Sequence, residues 1–207
     1  MRKIFLDGGA HNGCSVRMFI ENTPDYKDYE IYSFECHNGR YNELALIGNE
    51  LGLAKFKPIQ KAIWVSDGQK KFNGWELEDT SNPNDNSGVE SIDFSKFILD
   101  NFSKDDYIIL KLDIEGAEYK VVDKMYSDGS LAYISKFYGE LHGPKKGYTV
   151  EDNNKLLAKI WKSDLKLLNW DALEGSYDEI EIVPFDTVGS YLMTSSPRVG
   201  HAYKKLI

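Results

Sequence analysis

Long runs of one kind are missing from this chain. Its 25 Lys and Arg never gather into a block, and against 33 Asp and Glu they leave a formal net charge of −8. Duplex nucleic acid and anionic membrane surfaces are therefore poor electrostatic partners. Long apolar stretches are also absent: "MRKIFLDGG" has only Ile4, Phe5 and Leu6 in sequence before Asp7. That is too short for a signal peptide or a membrane span, so a cytoplasmic protein is expected. Cysteine is scarce, with Cys14 and Cys36 alone, and two free thiols in a reducing compartment is the expectation. The sequon Asn101-Phe102-Ser103 is then read as chance.

At 207 residues, 42% of them hydrophobic, the chain can bury one good core and hardly two. A single domain over residues 1–207 is expected. Residues 3–6 read as a buried strand and 15–23 as a helix with Val16, Phe19 and Ile20 on one face. Residues 29–35 read as a second strand. Residues 38–52 read as a helix with Tyr41, Leu44, Ala45 and Leu51 inward, stopped at Gly52. Residues 56–65 read as a third strand, turned back at Asp67-Gly68 into a hairpin arm. The polar stretch 79–88 reads as a loop. Residues 91–102 read as a helix capped near Ser91 or Asp93. Residues 106–116 have the near-continuous apolar character of a strand buried on both faces. A helix from Gly116, a strand at 132–142 and a helix at 150–164 follow. Three late strands end the chain, the last two as an antiparallel pair. This alternation specifies an α/β domain with a mainly parallel central sheet, helices on both faces and a ligand beyond the C-terminal strand ends.

"LDGGAHNGCS" (6–15) joins the first strand to the first helix. Glycine there permits positive φ and close backbone approach, and the helix N-terminus adds free N–H groups. The spacing Gly8-Gly9-x-x-x-Gly13 is not the dinucleotide fingerprint, and no Lys-Ser/Thr pair marks a P-loop. The second strand ends in Glu35, placed to accept from both hydroxyls of a ribose. Asp7 would disfavour a phosphate and favour a cation. Such a turn followed by an acid resembles S-adenosylmethionine-dependent methyltransferases.

With "SFECHN", "SIDFSKFI" (91–98) and above all "IILKLDIEGAEYKVV" (108–122), the chain resembles the FkbM family of methyltransferases over residues 4–142. The resemblance implies a Rossmann-like fold, S-adenosylmethionine as cofactor and O-methylation of a hydroxyl on a sugar, such as a deoxysugar of a glycan, or another small metabolite. It implies that Gly9, Ala10 and Gly13 line the cofactor, Glu35 binds its ribose, Ala62 and Ile63 lie near the adenine, and Asp113 faces the transferred methyl. Asp7, His11 and Ser15 complete the turn's candidate contacts. "ECHN" departs from the more common Glu-Pro, and no extra structure precedes the first strand. The chain is thus a compact member or a domain cut from a larger polypeptide, for which a glycosyltransferase would be a natural companion.

Alternation places Lys111 beside Asp113, and a lysine so deep needs a carboxylate. Glu115 is a candidate cap for the next helix. Glu140 and His142 end the following strand. If the two strands are neighbours, Asp113, Glu140 and His142 converge. His142 is then a candidate general base. A divalent cation held by Asp113, Glu140 and His142 is a less favoured alternative. Two rival functions are an RNA ribose 2′-O-methyltransferase, which would want a basic groove, and a non-catalytic Rossmann-like module that binds a nucleotide or a protein.

Overall fold

The computed structural model describes residues 1–72, 77–79, 88–142 and 147–170, with the backbone alone at 78–79. Its centre is a six-stranded sheet of β1 (Lys3–Gly8), β2 (Tyr29–Phe34), β3 (Phe56–Ile59), β8 (Tyr107–Leu112), β9 (Lys136–Gly139) and β10 (Leu167–Asn169). Their order is β10-β9-β8-β1-β2-β3, and every pairing is parallel. The chain winds outward from β1 to one edge, then returns to lay β8 against the other side of β1. The switch point between β1 and β8 is where a doubly wound sheet opens a cleft at its strand ends.

Strand alternation sends side chains to two separate cores. Ile4, Leu6, Ile108, Leu110 and Leu112 face α3 (Phe94–Asn101), α4 (Glu118–Asp128) and α5 (Val150–Lys162). Phe5, Ile31 and Ile109 face α1 (Cys14–Asn22) and α2 (Asn38–Glu50), where Phe5 stacks on Phe19. The result is the expected Rossmann-like α/β domain with helices on both faces. In α2 the inward pair is Leu44 and Ile47, while Tyr41, Ala45 and Leu51 are only half-buried.

Three local readings need correction. Residues 56–65 are not one strand: after Ile59 the chain leaves the central sheet, and β4 (Ala62–Trp64) starts a second, four-stranded one. Asp67-Gly68 does not fold β4 onto its successor. β7 (Val89–Asp93), read from sequence as a helix lead-in, lies between β4 and β5 (Gly68–Phe72), parallel to the former and antiparallel to the latter. Ser91 donates to the carbonyls of Ser66 and Gly68 and locks this insertion. β6 (Leu77–Asp79) pairs antiparallel with β5. Asp93 caps α3 as expected, accepting from the Lys96 N–H. Residues 80–87 and the expected final antiparallel pair lie outside the described residues; β10 itself runs parallel to β9.

Opposite the cleft, Asp106 clamps the chain start to β8. Its carboxylate accepts from the Arg2 backbone, the Arg2 guanidinium and the Ser103 N–H. The Arg2 hydrogen bond, against some burial, holds its pKa down to about 2. A folded pKa below the unfolded value gives stability that is present above about pH 4 and is lost as pH falls through the folded value. Because Arg2 is half exposed, the clamp contributes on the order of 1–2 kcal/mol. Asp106→Asn should lower urea stability by that amount at pH 7, and the gap to wild type should narrow steadily below pH 4.

Candidate functional site

At the strand ends β1 runs into a turn built by main chain. The N–H groups of Gly9 and Ala10 both donate to the Phe34 carbonyl. Gly9 has φ 73°, and a Cβ there would stand 1.9 Å from the Asp113 carbonyl oxygen. Nothing larger than glycine fits between the two strand ends. Gly13 closes the turn at φ 87° and precedes α1.

Glu35 ties this turn to the one after β2. Its carboxylate accepts from the His11 N–H at 3.0 Å and from the His37 N–H at 2.7 Å. One oxygen is used for each loop, and a carboxylate has further lone pairs to offer. Beside it lies a cleft lined by Gly9, His11, Phe34, Glu35, Cys36, Arg40, Lys61, Ala62, Ile63, Phe72, Leu77, Asp113, Ile114 and Glu115. Its mixture of apolar wall with a few convergent polar groups is that of a small-molecule site. The Cys36 thiol is pushed up to about 12 by burial and the Glu35 charge, so it stays protonated and inert.

Of the expected cofactor contacts, Gly9, His11, Glu35, Ala62, Ile63 and Asp113 line this cleft, whereas Asp7, Ala10, Gly13 and Ser15 do not. Asp7 is fully buried beneath the turn. It accepts from the Ser15 and Ser33 hydroxyls at 2.6 and 3.2 Å and stands 3.5 Å from Lys111 Nζ. The cation it faces is therefore an internal lysine and not a ligand, against the role expected for it. Lys111, 1% exposed, donates to the Gly8 and Gly9 carbonyls and lies 3.6 Å from Asp113. Burial opposes its charge, but Asp113 and Asp7 outweigh burial and raise its pKa.

β8 and β9 are neighbours, so the acids at their ends converge. His142 Nε2 stands 3.6 Å from both Asp113 and Glu140 and 3.8 Å from Glu115. Its Nδ1 meets Glu118 at 3.2 Å. Glu118, nearly inaccessible, also accepts from the Ile114 and Gly116 N–H groups, both at 2.7 Å. It, rather than Glu115, holds the start of α4. Burial works against a charged imidazole, but the Glu118 hydrogen bond and the charges of Glu118, Glu140 and Asp113 raise the His142 pKa to about 9. A ring that holds its proton at neutral pH is a poor general base, against the role expected for it. Glu118 escaped the sequence reading because a first-turn acid is common in any helix; only the fold shows it reaching back to both loops.

A second hollow, lined by Trp64, Leu77, Glu115, Gly116, Ala117, Lys120 and Tyr148, shares Leu77 and Glu115 with the cleft. Trp64 is buried in β4, and Lys120 Nζ lies 4.8 Å from its ring centroid.

A parallel six-stranded sheet flanked by helices, with a cleft at its switch point and an acid closing β2, defines the class: a Rossmann-like α/β domain. More narrowly, the chain belongs to the FkbM methyltransferase family, whose domain model matches residues 7–163. No curated protein and no solved structure matches it. Among the described residues no helix is long and apolar enough to cross a membrane.

Proposed function

We propose that the protein is an S-adenosylmethionine-dependent O-methyltransferase acting on a hydroxyl of a sugar, as in a glycan. One observation carries this reading: Asp113 and Glu115 belong at once to the cleft wall and to the carboxylate–imidazole group beside it. A cofactor cavity thus opens directly onto groups that can receive an acceptor hydroxyl. The residues fit the cofactor, since Gly9 clears its path and Glu35 can accept from ribose hydroxyls. Ala62 and Ile63 offer an apolar wall to a base. When bound, S-adenosylmethionine supplies an electrophilic methyl group.

The chain's part is alignment and proton removal. Asp113, 26% exposed at the cleft mouth, orients the acceptor hydroxyl. Glu140, 39% exposed and thus the most accessible of the four acids, takes up its proton and releases it to solvent. The acidic mouth and the net charge of −8 favour a neutral polyhydroxy acceptor over RNA. A cytoplasmic site of action and a glycosyltransferase companion belong to the same reading.

Titration calorimetry tests the cofactor assignment. S-adenosylmethionine should bind one per chain, and Glu35→Ala should weaken it at least tenfold through lost hydroxyl contacts. Tight binding of NAD with no uptake of S-adenosylmethionine would overturn the reading.

A further inference from the structure

We propose that Asp113, Glu115 and His142 form a binding site for a divalent first-row metal ion at the mouth of the cleft. Each offers one donor atom, and these atoms lie within 4.8 Å of one another. The observation that lifts this above a group of surface acids is His142. Its side chain is 5% exposed, and among the described residues its Nε2 meets carboxylate oxygens of Asp113, Glu140 and Glu115 only at 3.6, 3.6 and 3.8 Å. These separations are too long for hydrogen bonds. They are close to the spacing of donors around one shared ion, about 3.0–3.5 Å for bonds of about 2.1 Å.

The surroundings of the ring point the same way. Nδ1 lies 3.2 Å from Glu118 Oε1, so an ion that displaces the Nε2 proton meets an imidazole already held with that nitrogen facing the two acids. A metal-ligating histidine almost always has such a partner on its other nitrogen. Glu118 is in turn anchored by the Ile114 and Gly116 N–H groups, so one buried carboxylate positions the imidazole and the loop that carries both acids. One imidazole with carboxylates suits Mn²⁺, Fe²⁺ or Zn²⁺; Ca²⁺ prefers oxygen donors alone and Cu⁺ prefers sulfur. Three protein donors leave positions open toward the cleft. The ion's use, holding and polarising an acceptor hydroxyl, rests on the methyltransferase reading; its binding does not.

The test uses the full chain, stripped with chelator and titrated with Mn²⁺, with free ion counted by electron paramagnetic resonance. One Mn²⁺ per chain should be taken up, and Zn²⁺ should displace it. Pulsed spectra should show nitrogen coupling from a directly bound imidazole. His142→Gln should remove that coupling and weaken uptake at least tenfold. Glu118→Gln, a positioning change, should weaken uptake about tenfold. Circular dichroism checks each fold; if His142→Gln does not fold, Asp113→Asn, at a partly exposed position, is read in its place. No stoichiometric uptake of Mn²⁺ or Zn²⁺ overturns the site. Uptake unchanged in the variants also overturns it, because the ion is then elsewhere on an acidic surface. Calorimetry with S-adenosylmethionine on the same preparation separates the two claims. Cofactor binding without metal rejects the ion site alone, and metal without cofactor rejects the methyltransferase reading alone.

Discussion

Lys111→Met should cost about 3–5 kcal/mol, the usual penalty for stranding a buried charge by deleting its partner. For a protein of this size that is a fall of roughly 10 °C in melting temperature. The ammonium does two jobs that methionine cannot. It faces the fully buried Asp7 at 3.5 Å, and it donates to the carbonyls of Gly8 and Gly9, where β1 turns away from the sheet. Without it, Asp7 keeps only its two serine hydroxyls and the two carbonyls face an apolar chain. Adding Asp7→Asn to the variant removes the stranded charge and should recover a substantial part of the loss. Asp113→Asn alone should change stability little, since its carboxylate reaches solvent. A double variant no more stable than Lys111→Met would show that the carbonyls, and not the ion pair, dominate.

The largest effect on turnover is expected at the end of β9. Glu140→Gln should reduce kcat by about 10²–10⁴-fold, the range for loss of a positioned proton acceptor. Cofactor affinity should hold, because Glu140 is not part of the cleft wall. Asp113→Asn should lower kcat and also weaken cofactor binding, because Asp113 belongs to both groups. Single-turnover methylation of a sugar acceptor, with cofactor affinity measured separately, distinguishes the two. Full activity in Glu140→Gln would remove it as the proton acceptor.

The central sheet was legible in the sequence because burial leaves a strong imprint there. β1 and β8 are apolar on both faces since each has neighbours on both sides and helices above and below. The meeting of Asp113, Glu140 and His142 was legible for a related reason: neighbouring parallel strands deliver their ends to one level. The small sheet was not legible. Whether 56–65 is one strand or two depends on β7, which pairs with β4 from 29 residues later in the chain, and no local pattern encodes that. The polar pair Gln60-Lys61 was the only hint of a break. Asp7 misled because a carboxylate beside a glycine turn looks exposed. Its partner, Lys111, is 104 residues away in sequence and adjacent only through the pairing of β1 with β8.

The cleft has walls of two different natures. On one side Gly9, which admits no side chain, is held by a main-chain hydrogen bond to the Phe34 carbonyl. On the other, Phe72 and Leu77 come from β5 and β6, which belong to the second sheet and not to the central one. The fold therefore separates a fixed die from an adjustable jaw. Selection, or an engineer, can reshape the space at Phe72 and Leu77 to admit a different guest while the cofactor seat, and the register of all six central strands, stay as they are.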